Sequence, residues 1–162
     1  MNYEQILKEI DDRIDFERDV IANTSNVSAI LHIRLNEAKN NCVNWTGFYF
    51  TRRVGQLCLG PFQGKPACIR INFGDGVCGT AAQSKESQVV ENVHEFPGHI
   101  ACDGASNSEI VVPILRNGDT VGVIDIDSSE LSTFDDDDRK GIEKIAELLS
   151  ERCDWDQIEI EE

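Results

Sequence analysis

The dipeptide Asn117-Gly118 lies between two runs that alternate in polarity, residues 109–115 and 120–127. Asn-Gly is a strong hairpin signal, because both residues accept the left-handed backbone that a tight turn needs. The hairpin commits this part of the chain to an antiparallel sheet. Its register decides where Glu109, Asp125 and Asp127 point. A two-residue turn sets Ile110 opposite Asp125 and mixes acids with apolar residues. A three-residue loop, Arg116-Asn117-Gly118, sets Leu115 opposite Asp119 and Glu109 opposite Asp125. One face then collects Ile110, Val112, Ile114, Gly122, Ile124 and Ile126. The other collects Glu109, Val111, Pro113, Val121, Val123, Asp125 and Asp127. Register follows the pattern that segregates the faces, so the three-residue loop is favoured.

That register gathers three carboxylates on one face. Like charges opposite each other destabilise a sheet. Such a cluster suits a pocket for a cation, a metal or a proton. Crowding also raises carboxyl pKa values, so one acid can stay protonated near neutral pH. The plainer alternative is an acidic stripe facing solvent.

Cys68, Cys78 and Cys102 fall in the loop-rich stretch before this hairpin. Thiols beside carboxylates can run redox chemistry without a cofactor: a thiolate gives electrons, a second thiol traps a disulfide, an acid gives a proton. Cys78 follows Gly76 at an expected helix start, where the helix dipole should make it the most acidic thiol. Cys102 neighbours Asp103 and His99. Cys42, Cys58 and Cys153 read as small core residues. His94 and His99 read as hydrogen-bonding loop residues. A zinc site from His94, His99, Cys78 and Cys102 would lack the Cys-x-x-Cys pairs usual in structural sites. No metal or other cofactor is therefore expected.

The other elements follow from periodicity and punctuation. Residues 3–22 predict an amphipathic helix on Ile6, Ile10, Ile14 and Val20. Residues 23–26 read as a break whose side chains cap a second helix, running to Lys39 on Ile30, Ile33 and Leu35. Strands are expected over 45–52, 56–61 and 67–73, a short helix over 77–84, and a short strand over 88–91. Residues 92–108 form a long loop, a common form of functional lid. The last helix is expected over 135–152, with Thr133 as its cap and Asp135 to Asp138 at the positive end of the dipole. The class is α+β, an antiparallel sheet between helices and loops.

At 162 residues this reads as one domain, residues 1–153, with N-terminal helices over 1–40 and a frayed acidic tail over 154–162. The net charge of −15 argues against nucleic acid and anionic membrane surfaces, since phosphate contacts need clustered Lys and Arg. No apolar run suits a membrane helix, and the first residues lack a signal-peptide pattern. A cytoplasmic setting with reduced thiols is expected. Six cysteines at irregular spacing do not form a secreted disulfide scaffold. The N-terminal helices leave room for a homodimer, although one apolar stripe can equally cover the sheet.

Several segments carry a family resemblance. They are Gly60-Pro61-Phe62-Gln63-Gly64-Lys65-Pro66-Ala67-Cys68, Gly74-Asp75-Gly76-Val77-Cys78-Gly79-Thr80, and Pro97-Gly98-His99-Ile100-Ala101-Cys102-Asp103. Ala105-Ser106-Asn107-Ser108-Glu109-Ile110-Val111-Val112-Pro113 and Gly122-Val123-Ile124-Asp125-Ile126-Asp127-Ser128 complete the set. Together they resemble the free methionine-(R)-sulfoxide reductases and cover residues 40–148. The resemblance implies a GAF-like fold, with about six antiparallel strands, helices on one face and a ligand pocket under loops on the other. It implies reduction of free methionine-(R)-sulfoxide, with Cys102 as nucleophile, Cys68 resolving it as a disulfide, Cys78 as a further redox thiol, and thioredoxin as reductant. It also implies substrate contacts from Glu109, Asp125 and Asp127, with Trp45 and Tyr49 lining the pocket near the methyl group. It thereby sets Cys102 ahead of Cys78 as nucleophile. The alternative is a GAF-type module that senses a small ligand or redox state without turnover; a sensor would ordinarily carry an output domain, which 162 residues do not accommodate.

Overall fold

The computed structural model describes residues 1–99 and 104–162. Six antiparallel strands form one sheet in the order β3-β2-β1-β6-β5-β4. They are β1 (Val43–Arg53), β2 (Gln56–Gln63), β3 (Arg70–Asn72), β4 (Gln88–Val90), β5 (Ser108–Arg116) and β6 (Asp119–Ser128). Helices α1 (Tyr3–Arg13), α2 (Val20–Ala38) and α4 (Asp136–Arg152) cover one face. Helix α3 (Gly76–Ser84) packs on the other with the β2–β3 loop.

Alternation along the strands divides the core in two. Phe48, Phe50, Ile110, Val112, Ile114, Ile124 and Ile126 meet the three long helices. Trp45, Tyr49, Val111 and Val123 face α3. The stripe on the N-terminal helices, Ile6, Ile10, Val20, Val27, Leu31 and Leu35, is buried in the chain's own core.

Several expectations change. The first helix stops at Arg13 and the second begins at Val20, capped by Asp19 accepting from the Ala22 N–H at 2.7 Å. Residues 23–26 do not break a helix, because Asn23, Thr24 and Ser25 turn their side chains back onto carbonyls of the helix and of the turn before it. Thr24 and Ser25 hydroxyls donate to the carbonyls of Val20 (2.7 Å) and Ile21 (2.6 Å), and Asn23 Nδ2 donates to Glu17 O (2.9 Å). Ile33, assigned to the apolar stripe, is 56% exposed. The strand expected over 67–73 shortens to Arg70–Asn72. Helix α4 is capped by Asp135, not Thr133: Asp135 accepts from the Asp138 N–H, and Asp138 returns the bond to the Asp135 N–H, both at 2.9 Å. The Thr133 hydroxyl instead donates to Ser128 Oγ at 2.6 Å.

The C-terminal segment is also better anchored than its acidity implies. Trp155 is 4% exposed, packs edge-on against Phe50 at 5.8 Å, and donates from Nε1 to Leu149 O at 3.0 Å. Glu161 then bridges to Arg53 at the end of β1. Burial of one large aromatic outweighs the fraying tendency of its charged neighbours.

Among the described residues, no helix is long and apolar enough to cross a membrane.

Candidate active site

The hairpin register corrects the expected pairing. Asn117 and Gly118 form the two-residue turn, both with positive φ (53° and 82°), and Arg116 pairs with Asp119. The register then shifts between Leu115–Thr120 and Ile114–Gly122, leaving Val121 as the extra residue. Glu109 therefore lies opposite Asp127, and Asp125 lies opposite Val111. The expected register is off by two residues, the period of a strand, so the acids keep their shared face. Val121 is the exception: the bulge turns it towards the helices.

Strand β1 completes two rungs. One reads Trp45–Asp127–Glu109, and the next Gly47–Asp125–Val111. Gly47 puts no side chain beside Asp125, and a Cβ there would overlap Phe62, so glycine lets β2 pack this close to β1. Trp45, Tyr49, Cys78, Glu109, Asp125 and Asp127 line one cavity of about 40 Å³, together with His99, Ser106 and residues of the α3 start. The sequence-predicted substrate residues and Cys78 are thus brought together. Cys68 packs at the edge of the same cluster. Cys102 lies outside the described residues, as does Asp103 beside it.

The aromatic pair ties β1 to the loop that carries Cys68. Trp45 stacks on Phe62 and Tyr49, with ring centroids 5.1 and 5.9 Å apart. Its Nε1 donates to Lys65 O at 3.1 Å, and the Tyr49 hydroxyl donates to Cys68 O at 3.0 Å. Two side chains on one strand face thus hold the loop over the cavity. Cys68 is disulfide-bonded, while Cys42, Cys58, Cys78 and Cys153 are free thiols.

Helix α3 brings in Cys78 from above. Gly76 opens it with a φ of 63°, a conformation that suits glycine. At Gly79 a Cβ would overlap Asn72 O, so only glycine lets the helix sit this close to β3. The result reverses the expectation for Cys78. It is 5% exposed, and burial, then Asp125 and Glu109, push its thiol well above the ordinary range. Desolvation and nearby negative charge outweigh the helix dipole, and Cys78 is a protonated thiol rather than the most acidic one.

The carboxylates behave as a coupled set. Glu109 is 6% exposed and Asp125 5%. No Lys or Arg is among the described residues lining the cavity. Burial, then Asp125 and Asp127, raise the Glu109 carboxyl well above the usual carboxylate range. Burial also raises Asp125, while hydrogen bonds from Glu109 and Cys78 pull it back. This asymmetry makes Glu109 the protonated member and Asp125 the carboxylate that accepts from it and from the Cys78 thiol. One Asp125 oxygen, Oδ1, is buried with no hydrogen-bond partner among the described residues. The Tyr49 hydroxyl is raised by burial and then by Asp125, so it stays a neutral donor.

Two further residues, Phe62 behind the aromatic wall and Ser106 in the cavity lining, have no role assigned from the sequence. Phe62 stacks on Trp45, and Ser106 accepts from Asn44 Nδ2 at 3.1 Å. Both sit inside segments that carry the family resemblance, Gly60 to Cys68 and Ala105 to Pro113, but the resemblance gives neither a role of its own. His94 bonds Asn107 Oδ1 at 2.9 Å, a loop role as expected, while His99 reaches the cavity wall.

The GAF domain family model matches residues 24–151. Over 154 residues the chain is 47% identical to the free methionine-R-sulfoxide reductase of Saccharomyces cerevisiae, covering 93% of this chain and 84% of that one. The Escherichia coli protein of the same name is 47% identical over 133 residues, covering 82% and 77%. The crystal structure of free methionine-R-sulfoxide reductase from Neisseria meningitidis with its substrate superposes with a TM-score of 0.86 at 40% identity, covering 96% of this chain and 90% of that one. The fold, the acid-floored cavity and these similarities together place the chain in the GAF-domain family, among the free methionine-(R)-sulfoxide reductases.

Proposed function

We propose that this protein reduces free L-methionine-(R)-sulfoxide to L-methionine by thiol chemistry, with thioredoxin as the reductant, in the reducing cytoplasm. The observation that carries the reading is the cavity floor: three carboxylates, no Lys or Arg among its described lining, and Glu109 held as an acid. A sulfoxide oxygen is a weak base, and a buried carboxylic acid aimed at it makes the sulfur a better target. Asp125 and Asp127 are left to hold the substrate ammonium through charge-assisted bonds. The aromatic wall of Trp45 and Tyr49 suits the methyl-thio end.

Cys102 attacks the sulfoxide sulfur as a thiolate. Oxygen passes to the cysteine, methionine leaves, and Cys102 becomes a sulfenic acid. The Cys68 thiol condenses with it, forming the S–S bond and releasing water. A dithiol of thioredoxin then takes the disulfide and is itself oxidised. Support for the resolving role comes from Cys68 being disulfide-bonded and from the Tyr49 hydroxyl that holds its carbonyl. Cys78 becomes a competent relay thiol only when Asp125 takes its proton.

The test is methionine release from the R epimer with thioredoxin and thioredoxin reductase. Turnover on the R epimer and none on the S epimer is expected. Folded, fully reduced protein that releases no methionine would overturn the reading. Cys102→Ser should abolish release, whereas Cys68→Ser should still complete one turnover.

A further inference from the structure

Cys78 Sγ, one Glu109 oxygen and one Asp125 oxygen all lie within 4.8 Å of one another. The three residues come from α3, β5 and β6, so the fold and not local sequence sets the cluster. A single sulfur with two carboxylate oxygens is a donor set that zinc and cadmium favour over magnesium or calcium. Three protein ligands with one side open is the form of an accessible zinc site rather than a closed structural one. A second observation points the same way. Asp125 is 5% exposed, lines the cavity, and keeps Oδ1 without a hydrogen-bond partner among the described residues. A buried carboxylate oxygen without a donor is costly unless something positive meets it.

We propose that this cluster binds one thiophilic divalent cation, zinc or cadmium, through Cys78, Glu109 and Asp125, and that the bound ion excludes the substrate. Coordination displaces the Cys78 thiol proton and the proton on Glu109 to solvent, and no electron moves. The cavity of about 40 Å³ takes an ion with its remaining water as it stands. An amino acid the size of methionine sulfoxide needs it to widen. The cation then occupies Asp125, assigned to the substrate ammonium, and Glu109, assigned to the sulfoxide oxygen. That exclusion rests on the proposed substrate placement; the binding of the ion does not.

The test uses cadmium on the full chain with its disulfide intact, so that Cys68 offers no thiol and no turnover occurs. One ion per chain by equilibrium dialysis is expected, with the thiolate-to-cadmium charge-transfer absorbance. Cys78→Ser should abolish that absorbance and weaken binding at least tenfold. Asp125→Asn should weaken binding at least tenfold while keeping the absorbance. Cadmium should raise the melting midpoint of the wild-type protein and not that of Cys78→Ser. Magnesium and calcium in excess should not displace it, and free methionine-(R)-sulfoxide should. Absorbance that survives in Cys78→Ser would assign the ion to another thiol and overturn the proposal. Binding lost in Cys78→Ser but indifferent to substrate would overturn the exclusion alone. An inactive protein that still binds cadmium through Cys78 would overturn the reductase reading and leave the cation site standing.

Discussion

Two acidic clusters in this chain, Asp135 to Asp138 and Glu109 with Asp125 and Asp127, have opposite fates. At the start of α4 every acid with a defined shift is held down. Backbone N–H groups at the helix start, Asp138 first, keep the Asp135 carboxyl below its ordinary range, and Arg139 with Lys140 does the same for Asp136. Asp138 is buried yet meets Lys39 at 2.9 Å and the Tyr3 hydroxyl at 2.7 Å. Glu109 and Asp125 are also buried but meet no Lys or Arg among the described lining, so burial and the neighbouring carboxylates raise Glu109 and it keeps its proton. Charge type is the same; exposure and partner differ, since Asp135 and Asp136 face solvent beside N–H groups and cations while Glu109 is buried among carboxylates. One cluster holds a helix end in place, and the other holds a proton where a substrate can use it.

Swapping the properties of the two clusters should give effects of different kinds. The largest is expected for Glu109→Gln, which keeps the shape and removes the acid. Turnover should fall by about 10²–10⁴-fold, the usual contribution of general acid catalysis, without loss of folded protein. A variant with near wild-type turnover would move the proton-donor role elsewhere.

Next is Lys39→Met. It leaves Asp138 buried beside the carbonyl of Thr133, which Lys39 also bonds at 3.1 Å. Breaking such a pair should cost about 3 kcal/mol in urea unfolding, with activity per folded molecule unchanged. Equal losses in stability and specific activity would link the clusters in a way the separation of their residues does not provide.

The pH response should also separate them. Glu109 has a folded pKa above its unfolded value of about 4.3. Between those values the folded chain holds a proton the unfolded chain has lost, so stability falls as pH rises through that window. Glu109→Gln should flatten this decline. Asp135 has a depressed folded pKa, so its contribution is present above its unfolded value and is lost as pH falls through the folded one. Asp135→Ala should therefore cost about 1 kcal/mol at neutral pH, the usual loss of a helix cap, and less in acid. Urea midpoints across pH check both signs.

The same contrast explains how much was legible in the sequence. Alternation along β5 and β6 reports faces, so the acid trio and its apolar reverse were readable. The exact pairing was not, because the two-residue turn and the one-residue bulge at Val121 together move the register by two from the expected one and leave the pattern nearly unchanged. The environment of Cys78 was unreadable for a related reason. Its own helix argues for a low pKa, while the carboxylates that override it come from strands about 30 residues and more along the chain. The roles of Asp19 and Asp135 as caps were hidden among other acidic and polar residues, since composition does not say which carboxylate finds the free N–H groups. Trp155 was masked by the charged residues around it.

The central claim is that Glu109 carries a proton at neutral pH because it is buried, beside Asp125 and Asp127, with no Lys or Arg among the described residues lining its cavity. The direct measurement is an infrared difference spectrum of wild-type protein minus Glu109→Gln at neutral pH. A protonated carboxyl C=O band that disappears in the variant is expected. A difference spectrum with carboxylate bands only would place a charged Glu109 in the cavity and contradict the account.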